Sequence, residues 1–250
     1  MLYIGLVVFS LIVGSFLNVV IYRLPERRSI SYPPSHCLHC EHRLGVWDLI
    51  PVVSYLFLCG RCRYCSERIS LRYPMVEGLT AITFLLVYLQ YGYSLSTLAG
   101  WLLTSVLIAC AFIDIDHGII PDRITYPAFV AGLIFAWWTI GLQSSLVGAA
   151  LFGGILLLAA VLSRGGMGGG DIKLAAVIGA FAGLPGAVVG LFVASVSGGL
   201  WAVVLLITGR AKRRTAIRFG PFLAIGGWVG GVYGGQLLNW YLNLLVNYKF

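Results

Sequence analysis

The sequence predicts an all-α polytopic membrane protein of about eight transmembrane helices, with a small cysteine-bearing module between the first two. Three observations predict it. Of 250 residues, 59% are hydrophobic and only 10% charged, whereas a soluble domain carries roughly 25% charged residues. Uncharged runs recur along the chain near the ~20-residue length that a bilayer-crossing helix needs. Five of the six cysteines are gathered in one polar segment, 23–73.

The first span is about Leu2–Tyr22, with Asn18 near its end. No basic stretch precedes it and no small-residue cleavage site follows, so it reads as a retained helix rather than a removed signal peptide. Spans two and three, about Met75–Gln90 and Leu95–Ile113, are joined by the turn Tyr91-Gly92-Tyr93-Ser94. An acidic segment, Asp114–Ile124, leads into span four, about Thr125–Ile140, and span five is about Leu146–Leu162. A glycine-rich loop, Ser163–Asp171, opens a short span six, about Ile172–Ala182, which ends near Gly183-Leu184-Pro185-Gly186. Span seven runs to about Thr208, and span eight is about Phe219–Val246. Two rows of glycines in span eight, at 226, 230, 234 and at 227, 231, 235, read as surfaces where helix backbones approach closely in lipid.

The net charge of +8 is a matter of topology rather than of nucleic-acid binding. Arginines 23, 27, 28, 43, 61, 63, 68 and 72 lie in the first polar segment, and Arg210, Lys212, Arg213, Arg214 and Arg218 lie in a later loop. Arg123, Arg164 and Lys173 flank the acidic segment and the glycine loop. Eight spans put all these loops on one side, which the positive-inside rule makes the cytoplasm, with both termini outside. The basic loop 209–218 would then rest on anionic lipid.

Cys37-Leu38-His39-Cys40 and Cys62-Arg63-Tyr64-Cys65 are C-x2-C pairs separated by twenty-one residues. Two such knuckles complete the tetrahedral thiolate shell of a structural Zn²⁺. A reducing cytoplasm argues against disulfides, and a segment of this size with few large aliphatics needs a metal to supply folding energy. Cys59 leaves Cys59/Cys62 as an alternative pair, and His36, His39 and His42 are alternative ligands. A shell of four protein ligands has no open position, so this metal is structural rather than catalytic. Cys110 reads as an inert buried thiol in span three.

Two acidic motifs remain. In Asp114-Ile115-Asp116 the carboxylates are two residues apart, which on a helix points them nearly opposite ways. Asp114 directly follows the apolar run, and Asp171 closes Gly168-Gly169-Gly170-Asp171-Ile172-Lys173 as another span begins. Carboxylates at membrane depth are costly and mark function. A pair sharing a proton can activate water and polarise a scissile carbonyl, and the glycines leave room for an extended substrate. An ion or proton pathway, or structural pairing with Arg123, Arg164 or Lys173, is the alternative reading of the same residues.

These motifs, taken together, resemble those of the bacterial type IV prepilin peptidases. The resemblance covers nearly the whole chain. It runs through Gly14-Ser15-Phe16-Leu17-Asn18-Val19-Val20-Ile21-Tyr22-Arg23-Leu24-Pro25, both cysteine pairs and Trp47-Asp48-Leu49-Ile50-Pro51-Val52. It continues in Gly60-Arg61-Cys62-Arg63, Arg72-Tyr73-Pro74 with Glu77, Ile120-Pro121-Asp122 and the G-x-G-D motif at Asp171. The first pair lacks the Pro that many relatives carry after the first Cys.

The resemblance implies an intramembrane aspartyl endopeptidase of the bacterial inner membrane. It would cleave prepilin or pseudopilin leaders after Gly on the cytoplasmic side. It would then N-methylate the new terminus with S-adenosyl-L-methionine, in pilus assembly, type II secretion or competence. It maps the catalytic pair to Asp114 and Asp171, and the zinc ligands to Cys37, Cys40, Cys62 and Cys65. It divides the chain into a first helix, 1–22, a methyltransferase-associated zinc module, 23–73, and a peptidase domain, 74–250. It names no methyl-donor residues. The first loop is their expected place, with Glu26 and Arg28 as candidates and Arg72 and Glu77 as helpers. A carboxylate-dependent transporter and a non-catalytic zinc-dependent assembly protein are the competing expectations.

Overall fold

The computed structural model describes residues 2–163, 166–209 and 218–247. Among them every regular element is helical apart from two isolated bridges. The helices are α1 (Leu2–Arg23), the short α2 (Val53–Phe57), α3 (Arg72–Tyr91), α4 (Leu95–His117), α5 (Asp122–Trp138), α6 (Leu142–Leu162), α7 (Gly169–Ile207) and α8 (Gly220–Asn247). Arg164, the basic residues at 210–214 and Lys249 lie outside the described residues.

Five helices, α1, α3, α4, α6 and α7, are long and apolar enough to cross a membrane by length and composition. Apolar side chains face outward along them, such as Ile4, Val8 and Ile12 on α1 and Leu158 and Val161 on α6. That is the pattern of helices solvated by lipid, and the chain is an integral membrane protein. The expected eight spans require α7 to count twice and α5 and α8 to cross as well; neither of the last two is among those five.

α7 does divide. Its 39 residues are interrupted at Gly183, whose φ of 65° and ψ of −173° leave the helical region, and Pro185 follows. A break at membrane depth frees backbone groups that must find partners within the protein. Ser144 and Ser145 of α6 provide them. The Ser144 hydroxyl oxygen accepts the Leu184 N–H at 3.2 Å, and the Ser145 hydroxyl donates to the Ala180 carbonyl at 2.6 Å.

One correction to the sequence reading concerns the acidic segment. The four residues 114–117 are not loop but the last turn of α4, and α5 already begins at Asp122. The true stop is Gly118, with φ +67°, whose N–H bonds the Asp114 carbonyl at 2.9 Å. This is a left-handed glycine cap.

By compactness the chain forms two units, Met1–Leu89 and Gln90–Phe250. In the first, α1 and α3 meet closely: a Cβ on Gly14 would sit 2.7 Å from Glu77 Cα. Leu17, Ile21, Val76, Phe84 and Val87 are buried there. In the second, α7 packs between α6 and α8 with the core residues Leu107, Phe152, Leu174, Ile178 and Leu223. The two glycine rows of α8 have different partners. Gly226 and Gly230 abut the backbones of Gly190 and Gly186, whereas Gly227 and Gly231 meet the side chains of Ile178 and Leu103.

Candidate functional site

In the first unit the two cysteine knuckles are built alike. Cys37 N–H donates to the His42 carbonyl and Cys62 N–H to that of Glu67, at 2.9 and 2.8 Å. Each chain then turns through a residue with positive φ, Glu41 at 56° and Ser66 at 59°. His42 of one knuckle stacks on Tyr64 of the other, with ring centroids 3.6 Å apart. Asp48 ties the module together by accepting the Gly45 N–H at 3.0 Å, Arg63 Nε at 2.6 Å and the Tyr64 hydroxyl at 3.1 Å. Burial acts to raise the Asp48 pKa, but Arg63, Gly45 and Tyr64 together hold it below the usual carboxylate value.

The sulfurs of Cys37, Cys40, Cys62 and Cys65 all lie within 4.8 Å of one another, and those of Cys37 and Cys65 are 3.8 Å apart. A tetrahedron with metal–sulfur bonds of about 2.3 Å has edges of about 3.8 Å. The cluster can therefore hold a metal ion. The Cys40 N–H, foremost, draws the Cys37 thiol down to about 6. Cys65 is pushed up to about 12: the Glu67 N–H lowers it, but desolvation and the three neighbouring sulfurs outweigh that. Thiols crowded this way share protons that a cation would replace. Cys59, His36, His39 and His42 are not in the group, which removes the alternative ligand sets among the described residues.

The same unit carries an open cavity of about 390 Å³, lined by α1, the cysteine module and α3. Glu77, buried on α3, reaches from its wall to accept the Val52 N–H at 2.7 Å. Of the four donor-site candidates, Arg28 and Glu77 line the cavity, whereas Glu26 and Arg72 do not. Glu26 instead pairs with Arg28 at 2.8 Å.

The acidic residues of the second unit separate by burial. Asp114 and Asp171 are 6% and 9% exposed, whereas Asp116 and Asp122 are open to solvent. Asp122 accepts the Lys173 ammonium at 2.6 Å, so this lysine is engaged outside the buried pair. Asp114 lies one turn from the end of α4, and Asp171 lies in the first turn of α7. The two come near enough for the charge of Asp114 to act on Asp171. Asp114 Oδ2 accepts the buried N–H of Gly220 at 3.0 Å, and Arg218 adds its positive field. Sequence reasoning missed both of these. The available signal was Arg218-Phe219-Gly220-Pro221 at the start of span eight, a glycine placed where a helix begins.

The glycines before Asp171 are not equivalent. A Cβ on Gly170 would sit 2.8 Å from that of Ile120, whereas one on Gly169 meets nothing within 4 Å. Gly170 thus lets the start of α7 close onto the turn after α4, which carries the two carboxylates toward each other. Gly170→Ala is expected to cost about 1–3 kcal/mol by overpacking, while Gly169→Ala is neutral or slightly stabilising. Thermal unfolding of the two purified variants in detergent checks the contrast. Equal midpoints would show that the close approach imposes no constraint.

Two family models match the chain. The Bacterial Peptidase A24 N-terminal domain covers residues 8–91 and the Type IV leader peptidase family covers residues 101–203. Curated relatives named prepilin leader peptidase/N-methyltransferase align over nearly full length. That of Aeromonas salmonicida (strain A449) is 36% identical over 98% of this chain and 96% of its own. That of Neisseria gonorrhoeae is 38% identical over 94% and 93%, and that of Pseudomonas aeruginosa 36% over 94% and 92%. No solved structure matches.

Proposed function

The chain belongs to the type IV leader peptidase family, and we propose that it removes the leader of prepilins and pseudopilins and then methylates the exposed amine. The observation that carries the peptidase reading is the pair Asp114 and Asp171. These are two buried carboxylates on different helix ends, within electrostatic reach of each other. Neither has an ion-pair partner among the described salt bridges. A structural role would leave two carboxylates buried without an ion pair between them and a cation.

As catalysts, the two share one proton. The ionised carboxylate takes a proton from water as the oxygen attacks the carbonyl of the leader's last glycine, and its protonated partner donates to the carbonyl oxygen. Collapse of the tetrahedral intermediate breaks the C–N bond: the departing amine takes a proton from one carboxyl, and a hydroxyl of the intermediate returns one to the other, which restores the shared proton. The Gly220 N–H fixes one oxygen of Asp114 throughout. In the methylation that follows, the amine nitrogen forms a bond to the methyl carbon as the carbon–sulfur bond of S-adenosylmethionine breaks. The electron pair returns to sulfur, and the amine's surplus proton passes to solvent.

The four cysteines are read as a Zn²⁺ site, since four thiolates at tetrahedral spacing suit that ion. When bound, it supplies a cross-link between the knuckles and no open position for chemistry. We place the cysteine module, 23–73, and the catalytic ends of α4 and α7 on the cytoplasmic side, where the arginines of the first segment accord with the positive-inside rule. A prepilin's apolar helix with a basic leader left in the cytoplasm would present its scissile bond at that depth. The remainder, 74–250, is assigned to the peptidase and the lipid-facing scaffold.

The test is to incubate purified protein with a prepilin-like substrate and S-adenosylmethionine and read the product by mass spectrometry. Loss of the leader together with a methyl increment is expected. A substrate series returned intact, with ion flux in proteoliposomes, would replace this reading by a transporter.

A further inference from the structure

Resting on the peptidase half of that reading, we infer that the start of α8 makes the carboxylate pair unequal. The Gly220 N–H and the Arg218 charge keep Asp114 ionised as the base, and Asp171 carries the shared proton as the acid.

Backbone accounting at α8 is the first argument. The opening N–H groups of a helix have no partner within it. In α8, Phe222 and Leu223 both donate back to the Phe219 carbonyl at 3.0 Å, and Pro221 has no N–H to give. Gly220 is left, and its N–H goes to Asp114 Oδ2 at 3.0 Å. Only glycine allows this approach, since a Cβ at 220 would stand 2.6 Å from that oxygen and 2.9 Å from the Asp114 Cβ. A hydrogen bond to a carboxylate favours its charged form. It also leaves Oδ1 to take a proton.

Charge is the second argument. Arg218 precedes this glycine by two residues, and its Nε lies 3.7 Å from where a Cβ of Gly118 would be. Gly118 caps α4 and donates to the Asp114 carbonyl at 2.9 Å, so the guanidinium lies over the turn that Asp114 begins. On the other side of the pair, the Gly168 backbone is the one donor acting on Asp171, and no cation among the described residues acts there. The neighbouring ammonium of Lys173 is taken by Asp122 at 2.6 Å and lies over the Tyr126 ring. Asp116 and His117 are exposed in the last turn of α4, and the buried Cys110, one turn before Asp114, brings a thiol.

The helices that carry the pair act the opposite way. Asp114 lies at the negative end of α4 and Asp171 at the positive end of α7. Those are partial charges, which a direct hydrogen bond to a carboxylate and a full charge together outweigh. Two carboxylates this near do not ionise together, so the proton falls to Asp171. A water O–H bond then breaks toward Asp114 Oδ1 as its oxygen bonds to the carbonyl carbon. The Asp171 proton passes to the carbonyl oxygen.

The experiment uses the full-length protein in detergent with a prepilin-like substrate. The pH profile of kcat/KM for leader removal is recorded for wild type, Arg218→Gln and Arg218→Lys. Each is repeated with His117→Gln, so that this exposed imidazole cannot supply the acid limb. Loss of the arginine charge is expected to move that limb to higher pH by about half a unit or more, and lysine to restore it. A prepilin-like peptide with an epoxide at the scissile position then serves as inactivator. An ionised carboxylate attacks an epoxide carbon, the ring carbon–oxygen bond breaks, and the ring oxygen takes a proton from the partner carboxyl. Mass spectrometry is expected to find the ester on Asp114. An ester on Asp171 would overturn the assignment while leaving the peptidase standing. An acid limb that stays in place in Arg218→Gln would overturn the part given to Arg218. A wild type that removes no leader would take down the peptidase reading and this inference together.

Discussion

Asp171→Asn and Asp114→Asn are each expected to slow leader removal by at least about 10³-fold, the scale on which loss of a member of a catalytic unit is felt. The amide keeps the size of the carboxylate and its oxygen acceptor, so the Gly220 N–H retains a partner and the helix ends retain their packing. What is lost is the shared proton. An amide neither takes one from water nor holds one for the carbonyl, and its surviving partner cannot do both. The double variant should be no slower than either single one, because the two groups act as one unit. Gly220→Ala tests the same geometry from outside the pair. Its Cβ would lie within 3 Å of the Asp114 carboxylate, and displacement of a reacting group by about an ångström costs on the order of 10²-fold. Initial rates by mass spectrometry, normalised to protein in the membrane, decide the matter. A single Asp variant keeping about a tenth of the wild-type rate would exclude that residue from the pair.

Metal removal is the second large effect. The cysteine module has no buried aliphatic cluster of its own: Cys62 is its one buried hydrophobic residue, while Val46, Trp47, Leu56 and Phe57 are exposed. Metal binding in small thiolate modules is worth about 10–16 kcal/mol at neutral pH, more than the contacts around Asp48 can supply. The purified protein is expected to carry one zinc per chain. Chelation, or Cys62→Ser, should open the 37–65 segment to protease while α4 and α7 stay protected, and methyl transfer should disappear with the module. Acid should act in the same direction, because protons compete with the metal for thiolates. A zinc-free protein whose 37–65 segment still resists protease would show that the hydrogen bonds alone hold the knuckles.

What could be read in the sequence was local. Each knuckle is closed by bonds within a few residues, so its spacing carries its structure and the four-sulfur cluster was legible. Helices were legible too, because lipid demands an apolar run of fixed length, and the Gly183-Leu184-Pro185-Gly186 stretch announced the break in α7. The end of α4 was misjudged because polarity was taken for loop. Asp114–His117 is helical, and the stop is set by the positive φ of Gly118. Contacts between distant positions that no motif marks were not legible. Gly220 reaches Asp114 across 106 residues, and no periodicity encodes that meeting. Glu26 and Arg28, adjacent in pattern and opposite in charge, turned out to satisfy each other.

The glycine seam between α7 and α8 has a consequence for where this protein tolerates change. At Gly226 and Gly230 the facing surface is main chain, which has no rotamer to yield. An added methyl there must be absorbed by moving a whole helix. Gly226 lies six residues along α8 from Gly220, about 9 Å at 1.5 Å per residue, so the displaced end is the one holding Asp114. Substitutions at the lipid-facing Phe192 or Leu200 merely exchange one greasy surface for another. A map of inactivating variants should therefore show a line of silent, side-chain-free positions running deep into the bilayer, as sensitive as the carboxylates they keep in register.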